Sequence, residues 1–151
     1  MNRKALTVIL VVILIALLSW YLYKPTFEPV VKEVVLKPTY VNASADLIKV
    51  ENPFPGAVTG KSFTVVGTAR GYWYFEASFP IELIDKNNKV IATAVAQAQG
   101  DWMTENFVPF RVEIKAPNDY IGPATLVLKN DNPSGLPEND KSVMIPINVE
   151  Y

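Results

Sequence analysis

The 151-residue chain contains no cysteine and no histidine. Without cysteine there is no disulfide, no thiolate nucleophile and no c-type haem attachment. Without histidine there is no Ser-His-Asp relay, and zinc or iron sites built on Cys or His are excluded with it. Glycine is sparse, at seven residues, and the net charge is only −1. Half of the residues are hydrophobic and a fifth are charged, which is too apolar for a disordered chain. Present in quantity are twelve prolines among many Val, Ile, Phe and Tyr. That is the composition of a β-rich fold with sharp turns.

One long hydrophobic run stands at the N-terminus. Arg3 and Lys4 precede Ala5 to Tyr23, in which only Thr7 and Ser19 are polar. As a helix this run spans roughly 28 Å, close to the hydrocarbon thickness of a bilayer. A core helix carries a polar stripe, and this run has none. Trp20, Tyr21 and Tyr23 gather at its end, where amphipathic rings favour the membrane interface. Lys24 and Pro25 are expected to stop the helix. Residues 1–23 therefore read as a transmembrane anchor that meets the membrane through residues 5–23. The competing reading is a cleaved signal peptide, which has a shorter apolar core and a small-x-small cleavage site. The best small pair, Ala16 and Ser19, has the wrong spacing for that. The basic start favours a cytoplasmic N-terminus. The expected location is the cell membrane, single-pass, with the C-terminal part outside the cytoplasm.

Residues 24–45 carry Pro25, Pro29 and Pro38 and read as an extended stalk, able to reach on the order of 65 Å. The alternative is that part of it forms the first strand of the following domain. Residues 46–151 are that domain, where turn signals separate apolar, alternating segments. The predicted strands are Asp46–Glu51, Phe63–Arg70, Tyr72–Asp85, Val90–Gln99, Phe110–Lys115, Ala124–Lys129 and Ser142–Val149. Pro80 is expected to mark a bulge or bend within the third. No stretch of the domain has a 3.6-residue period, and there is no internal repeat. The predicted fold is all-β: an immunoglobulin-like β-sandwich of about seven strands, preceded by one N-terminal transmembrane helix. Trp73, Phe75, Phe79, Trp102, Phe107 and Phe110 are its candidate core aromatics. Ala92, Ala94, Ala96 and Ala98 form a small-residue face, for close packing inside the sandwich or against a partner strand.

Charge narrows the partners. Residues 46–151 hold 9 Lys and Arg against 13 Asp and Glu. No basic stripe runs between the aromatics, so nucleic-acid binding is disfavoured.

The run Val66–Ile81, with Gly67-Thr68-Ala69-Arg70 and Phe75-Glu76-Ala77 inside it, resembles the Gmad2 family. That family is an immunoglobulin-like domain of bacterial spore germination proteins. Gly100-Asp101-Trp102-Met103-Thr104, Asn132-Pro133-Ser134-Gly135 and Ile145-Pro146-Ile147 agree with it. The resemblance covers roughly residues 46–149 and implies a bacterial cell-envelope role. It brings no catalytic residue to carry over. In the family the domain often accompanies a GerM-type domain, which this chain does not contain.

Arg70, Trp73, Tyr74, Phe75 and Glu76 form the densest cluster of candidate binding residues. Aromatics beside an Arg and a carboxylate suit sugar or peptide recognition. The alternative is structural: Trp73 and Phe75 inward, Tyr74 and Glu76 outward, Arg70 paired with Glu76 or Asp101. Asp101 and Trp102 sit in a second candidate loop, where Asp101 is suited to capping backbone N–H groups and Trp102 to plugging the core. The candidate site is thus Arg70, Trp73, Tyr74, Glu76, Asp101 and Trp102. Glu76 with Asp101 as a glycosidase pair has no support beyond residue type. Asp131, Asn132, Glu138, Asn139 and Asp140 make an oxygen-rich loop without calcium-loop spacing. No metal site, catalytic residue or cofactor is assigned.

The expected function is non-catalytic binding of an envelope protein or cell-wall component, related to spore germination or envelope assembly. The alternatives are a purely structural spacer or assembly subunit, and an envelope hydrolase.

Overall fold

The computed structural model describes residues 2–23 and 35–151. The expected helix stop at Lys24 and Pro25, and the first half of the stalk, lie outside the described residues. The chain divides into two compact units, Met1–Val34 and Val35–Tyr151.

In the first unit one helix, α1, runs over Arg3–Leu22, with the Asn2 side chain accepting from the Lys4 amide at its start. It is apolar around its whole circumference and none of its residues is buried. Its 20 residues make it long and apolar enough to cross a membrane, a property shared by anchors and signal sequences.

The second unit is a curled sheet of nine strands. These are β1 (Thr39–Val41), β2 (Ile48–Asn52), β3 (Val58–Thr59), β4 (Ser62–Arg70), β5 (Ser78–Asp85), β6 (Val90–Ala98), β7 (Phe107–Lys115), β8 (Gly122–Lys129) and β9 (Ser142–Val149). The spatial order is β1-β9-β8-β5-β6-β7-β4-β2, with β3 also on β9. All pairings are antiparallel except β3 with β9. The sheet folds over at β6. That strand pairs with β5 along its length, but meets β7 only through Gln97 and Ala98. Two layers result, β1/β3-β9-β8-β5-β6 and β7-β4-β2, the immunoglobulin-like sandwich expected from the turn spacing.

Period-2 alternation drives the packing. Val143, Ile145, Ile147 and Val149 of β9 all point inward, as do Val65, Gly67 and Ala69 of β4 and Phe79, Ile81 and Leu83 of β5. Ala92, Ala94, Ala96 and Ala98 line the inner face of β6 and pack on this core. The two layers meet in an edge-to-face ladder of rings. Phe79 lies 5.0 Å from Phe110 and 5.2 Å from Tyr74 between centroids. Gly67 is required by this geometry, because a methyl group there would collide with the Lys49 carbonyl and the Phe110 ring.

Three expectations change. Thr39–Val41, read from sequence as stalk, pairs with β9 and covers the first half of its outer edge. Tyr72–Asp85 is not one bent strand: a 3-10 turn over Gly71–Trp73 and a tight reversal at Glu76-Ala77 precede β5. Pro80 does not bend the chain. The β5–β8 ladder starts at Ile81, so Pro80, with no N–H, sits where β5 has only β6 beside it.

Gly67→Ala is expected to destabilise the fold by about 2–3 kcal/mol, read as a lower urea midpoint. A pH dependence follows from Tyr74. Its buried hydroxyl donates to the Val108 carbonyl at 2.8 Å, and burial raises its pKa far above the usual tyrosine value. The unfolded chain loses that proton near pH 10, about the free tyrosine value, while the folded chain holds it. This stabilisation is complete below about pH 10 and is lost as pH rises beyond it. Denaturation midpoints should therefore fall in the alkaline range, and Tyr74→Phe should flatten the fall.

Candidate functional site at the loop end of the sandwich

Strand polarity places four loops at one end of the sandwich: 42–47, 71–77, 99–106 and 130–141. Arg70 at the end of β4 pairs with Phe107 at the start of β7, and Lys129 with Ser142, which in turn pairs with Val41. The chain enters this unit elsewhere, along the far half of β9. There Leu36 rests against Gly56 and lines an apolar groove of about 390 Å³ with Pro123, Pro146 and Ile147. All six sequence-predicted site residues fall in or next to two of the four loops, 71–77 and 99–106.

Hydrogen bonds tie the four loops together. Arg70 donates from Nε to the Asp46 carbonyl and from Nη1 to the Glu105 carbonyl, each at 3.0 Å. Its guanidinium also lies 4.2 Å from the Phe107 ring centroid. The Gly71 amide donates to the Asn106 carbonyl, the Asp131 amide to the Trp73 carbonyl, and the Asn42 side chain to the Asp140 carbonyl. Gly71 is packed so closely under the backbone of Trp102 and Thr104 that a methyl group has no room. Asp101 accepts from the Met103 amide at 3.0 Å and shapes its loop as an Asx turn. Two open hollows flank these loops. One, of about 330 Å³, is lined by Asp101, Thr104, Asn106 and Phe107. The other, of about 420 Å³, is lined by Asn42, Asp131, Asn132, Asp140 and Lys141.

The structure divides the candidate residues into buried and presented ones. Trp73 is 1% exposed, with its indole N–H enclosed and unpaired, and Tyr74 is 3% exposed. Trp102 is partly buried against the core. Arg70 is half-buried and holds carbonyls; it pairs with neither Glu76 nor Asp101. Glu76 and Asp101 are exposed. The expected inward Phe75 and outward Tyr74 are reversed. The 3-10 turn over Gly71–Trp73 breaks the period of two, so Tyr74 follows Trp73 inward and Phe75 is 41% exposed. Tyr72, which the sequence did not single out, and Met103, which it placed within the candidate loop 101–104, are exposed at 57% and 77%. The signal that identifies them is Gly71, whose close approach to Trp102 and Thr104 joins their two loops. In the oxygen-rich loop, Asn132 donates to the Asp140 carboxylate at 2.8 Å and to the Leu136 carbonyl. Among the described residues no group of three or more His, Cys, Asp or Glu is placed to hold a metal ion.

The reversal at the head of β5 is strained. Phe75 and Ser78 exchange two backbone hydrogen bonds of 3.0 Å, and the residues between them, Glu76 and Ala77, have φ of 49° and 64°. Positive φ at both central positions is the signature of a type I′ hairpin, whose usual occupants are Asn-Gly. Side chains bearing a Cβ cost roughly 1–2 kcal/mol each in this region. Ala77→Gly is expected to stabilise the protein by about 0.5–1 kcal/mol, after glycine's extra unfolded-state entropy is deducted. The check is a raised urea midpoint with an unchanged slope.

No curated protein matches the chain. The family described as the immunoglobulin-like domain of bacterial spore germination, Gmad2, matches residues 47–135. The match takes in β2, the Arg70–Ala77 segment, the 99–106 loop and the Asn132–Gly135 turn. With more than half of its length inside this match, the chain belongs to the Gmad2 family of immunoglobulin-like domains.

Proposed function

We propose that this protein is a membrane-anchored, extracytoplasmic recognition module of the bacterial cell envelope, which binds a partner through its four-loop end without catalysing a reaction. The observation that carries the reading is the loop end itself. Its four loops are cross-linked by hydrogen bonds, and two of them carry the exposed side chains of Tyr72, Phe75 and Met103. Glu76 and Asp101, the carboxylates a hydrolase would call on, stand exposed on separate loops. Support for anchoring comes from α1, which after Arg3 and Lys4 is apolar except for Thr7 and Ser19 and is long enough to cross a membrane. Arg3 and Lys4 favour a cytoplasmic start. The family's description names bacterial spore germination, and spore germination or envelope assembly is the setting proposed for this role.

The test is cross-linking in living cells of the tagged full chain against a chain truncated to residues 1–34. Membrane fractionation and protease accessibility from outside the cell accompany it. The expected outcome is a membrane-bound protein with residues 35–151 accessible from outside, and one envelope component enriched only when those residues are present. Equal background from both chains would favour a structural spacer instead.

A further inference from the structure

We infer that the loop end takes a basic, extended polypeptide segment, with arginine or lysine flanking apolar side chains, as its partner. This rests on the recognition reading and names the chemical class of what is recognised.

The argument begins with the exposed apolar side chains. Tyr72 and Met103 belong to loops held in contact at Gly71, and Phe75 lies three residues on in the same loop as Tyr72. Backbone hydrogen bonds and the tight reversal fix the segments that carry them, so little ordering remains to be done on binding. An exposed methionine, on a loop held against the one that carries two exposed aromatic rings, offers a deformable apolar group suited to leucine-like or aromatic peptide side chains.

Charge selects among occupants. The four loops contain seven of the 13 acidic residues of 46–151 and a single lysine. The cations nearest to them are committed. Arg70 holds two carbonyls, Lys49 lies over the Phe107 ring, and Lys129 is bonded to Glu82 at 2.7 Å in the one ion pair among the described residues. Among the described residues, Glu76, Glu105 and Asp131 have no cationic partner. Lys37, Lys86, Lys89 and Lys115 stand exposed at the other end of the sandwich. A surface of this sign repels anionic polymers and lipid headgroups and draws in a cationic chain. Arginine adds stacking on Tyr72 and Phe75, the contact that Arg70 already makes with Phe107.

The experiment uses the full chain in nanodiscs of zwitterionic lipid, with empty discs as control. Three probes are titrated: a short synthetic peptide alternating arginine with leucine and serine, the same peptide with glutamate for arginine, and an uncharged chitin oligosaccharide. The expected result is saturable binding of the arginine peptide alone, weakening about tenfold or more between about 0.05 M and about 0.5 M salt. Tyr72→Ala and Met103→Ala should each weaken it about fivefold with unchanged urea midpoints. Glu76→Gln and Glu105→Gln should each weaken it about twofold and flatten its salt dependence. Phe54→Ala, at the opposite end, should leave it unchanged. The inference is overturned if the arginine peptide fails to bind, if the glutamate peptide binds as well, or if Tyr72→Ala and Met103→Ala have no effect. If the oligosaccharide alone binds and those two substitutions abolish it, the recognition reading stands and the peptide inference fails.

Discussion

Phe79 stands at the point where the two layers and the loop end join. Its ring meets Phe110 edge-on from the opposite layer and Tyr74 from the loop that precedes β5. With no disulfide available, this ladder of rings does the stapling that small extracellular sandwiches often give to cystine. Its demands spread outward. Phe110 needs space over β4, and Gly67 supplies it. Tyr74 must reach inward, so the chain turns through a 3-10 segment beforehand and reverses tightly afterwards. The exposure of Tyr72 and Phe75 is the other face of that demand.

The family motif takes on physical meaning in this frame. Gly67 makes room for a ring, Gly71 for a neighbouring backbone, and Arg70 binds the carbonyls of two adjoining loops. Trp73 and Tyr74 fill the end of the core. These are scaffolding tasks. The side chains that the motif turns outward are Tyr72, Phe75 and Glu76, with Asp101 and Met103 across the Gly71 junction. Strain at Glu76-Ala77 fits this division, since backbone in a costly conformation is retained where surrounding structure dictates it.

Much of the fold was legible in the sequence because alternation has a local cause. A strand buried on one face must repeat every second residue, and Phe110, Val112 and Ile114 or Val143, Ile145 and Ile147 do so openly. The helix was legible for a similar reason: hydropathy and length are properties of a continuous segment. The hairpin at Glu76-Ala77 was hidden, because its residues carry none of the Gly or Asn signals that positive φ ordinarily requires. Reading straight through it assigned Phe75 to the core and Tyr74 to solvent.

By itself, then, the sequence determined the apolar N-terminal helix, the all-β character of the remainder, most strand positions and the Gmad2 membership. Only the tertiary structure decided that Thr39–Val41 belongs to the sheet, that Arg70 holds carbonyls, and that Tyr72 and Met103 share one end of the domain. The reason is range. Periodicity and hydropathy act between neighbours along the chain, whereas those three outcomes depend on contacts with residues from 24 to 105 positions away.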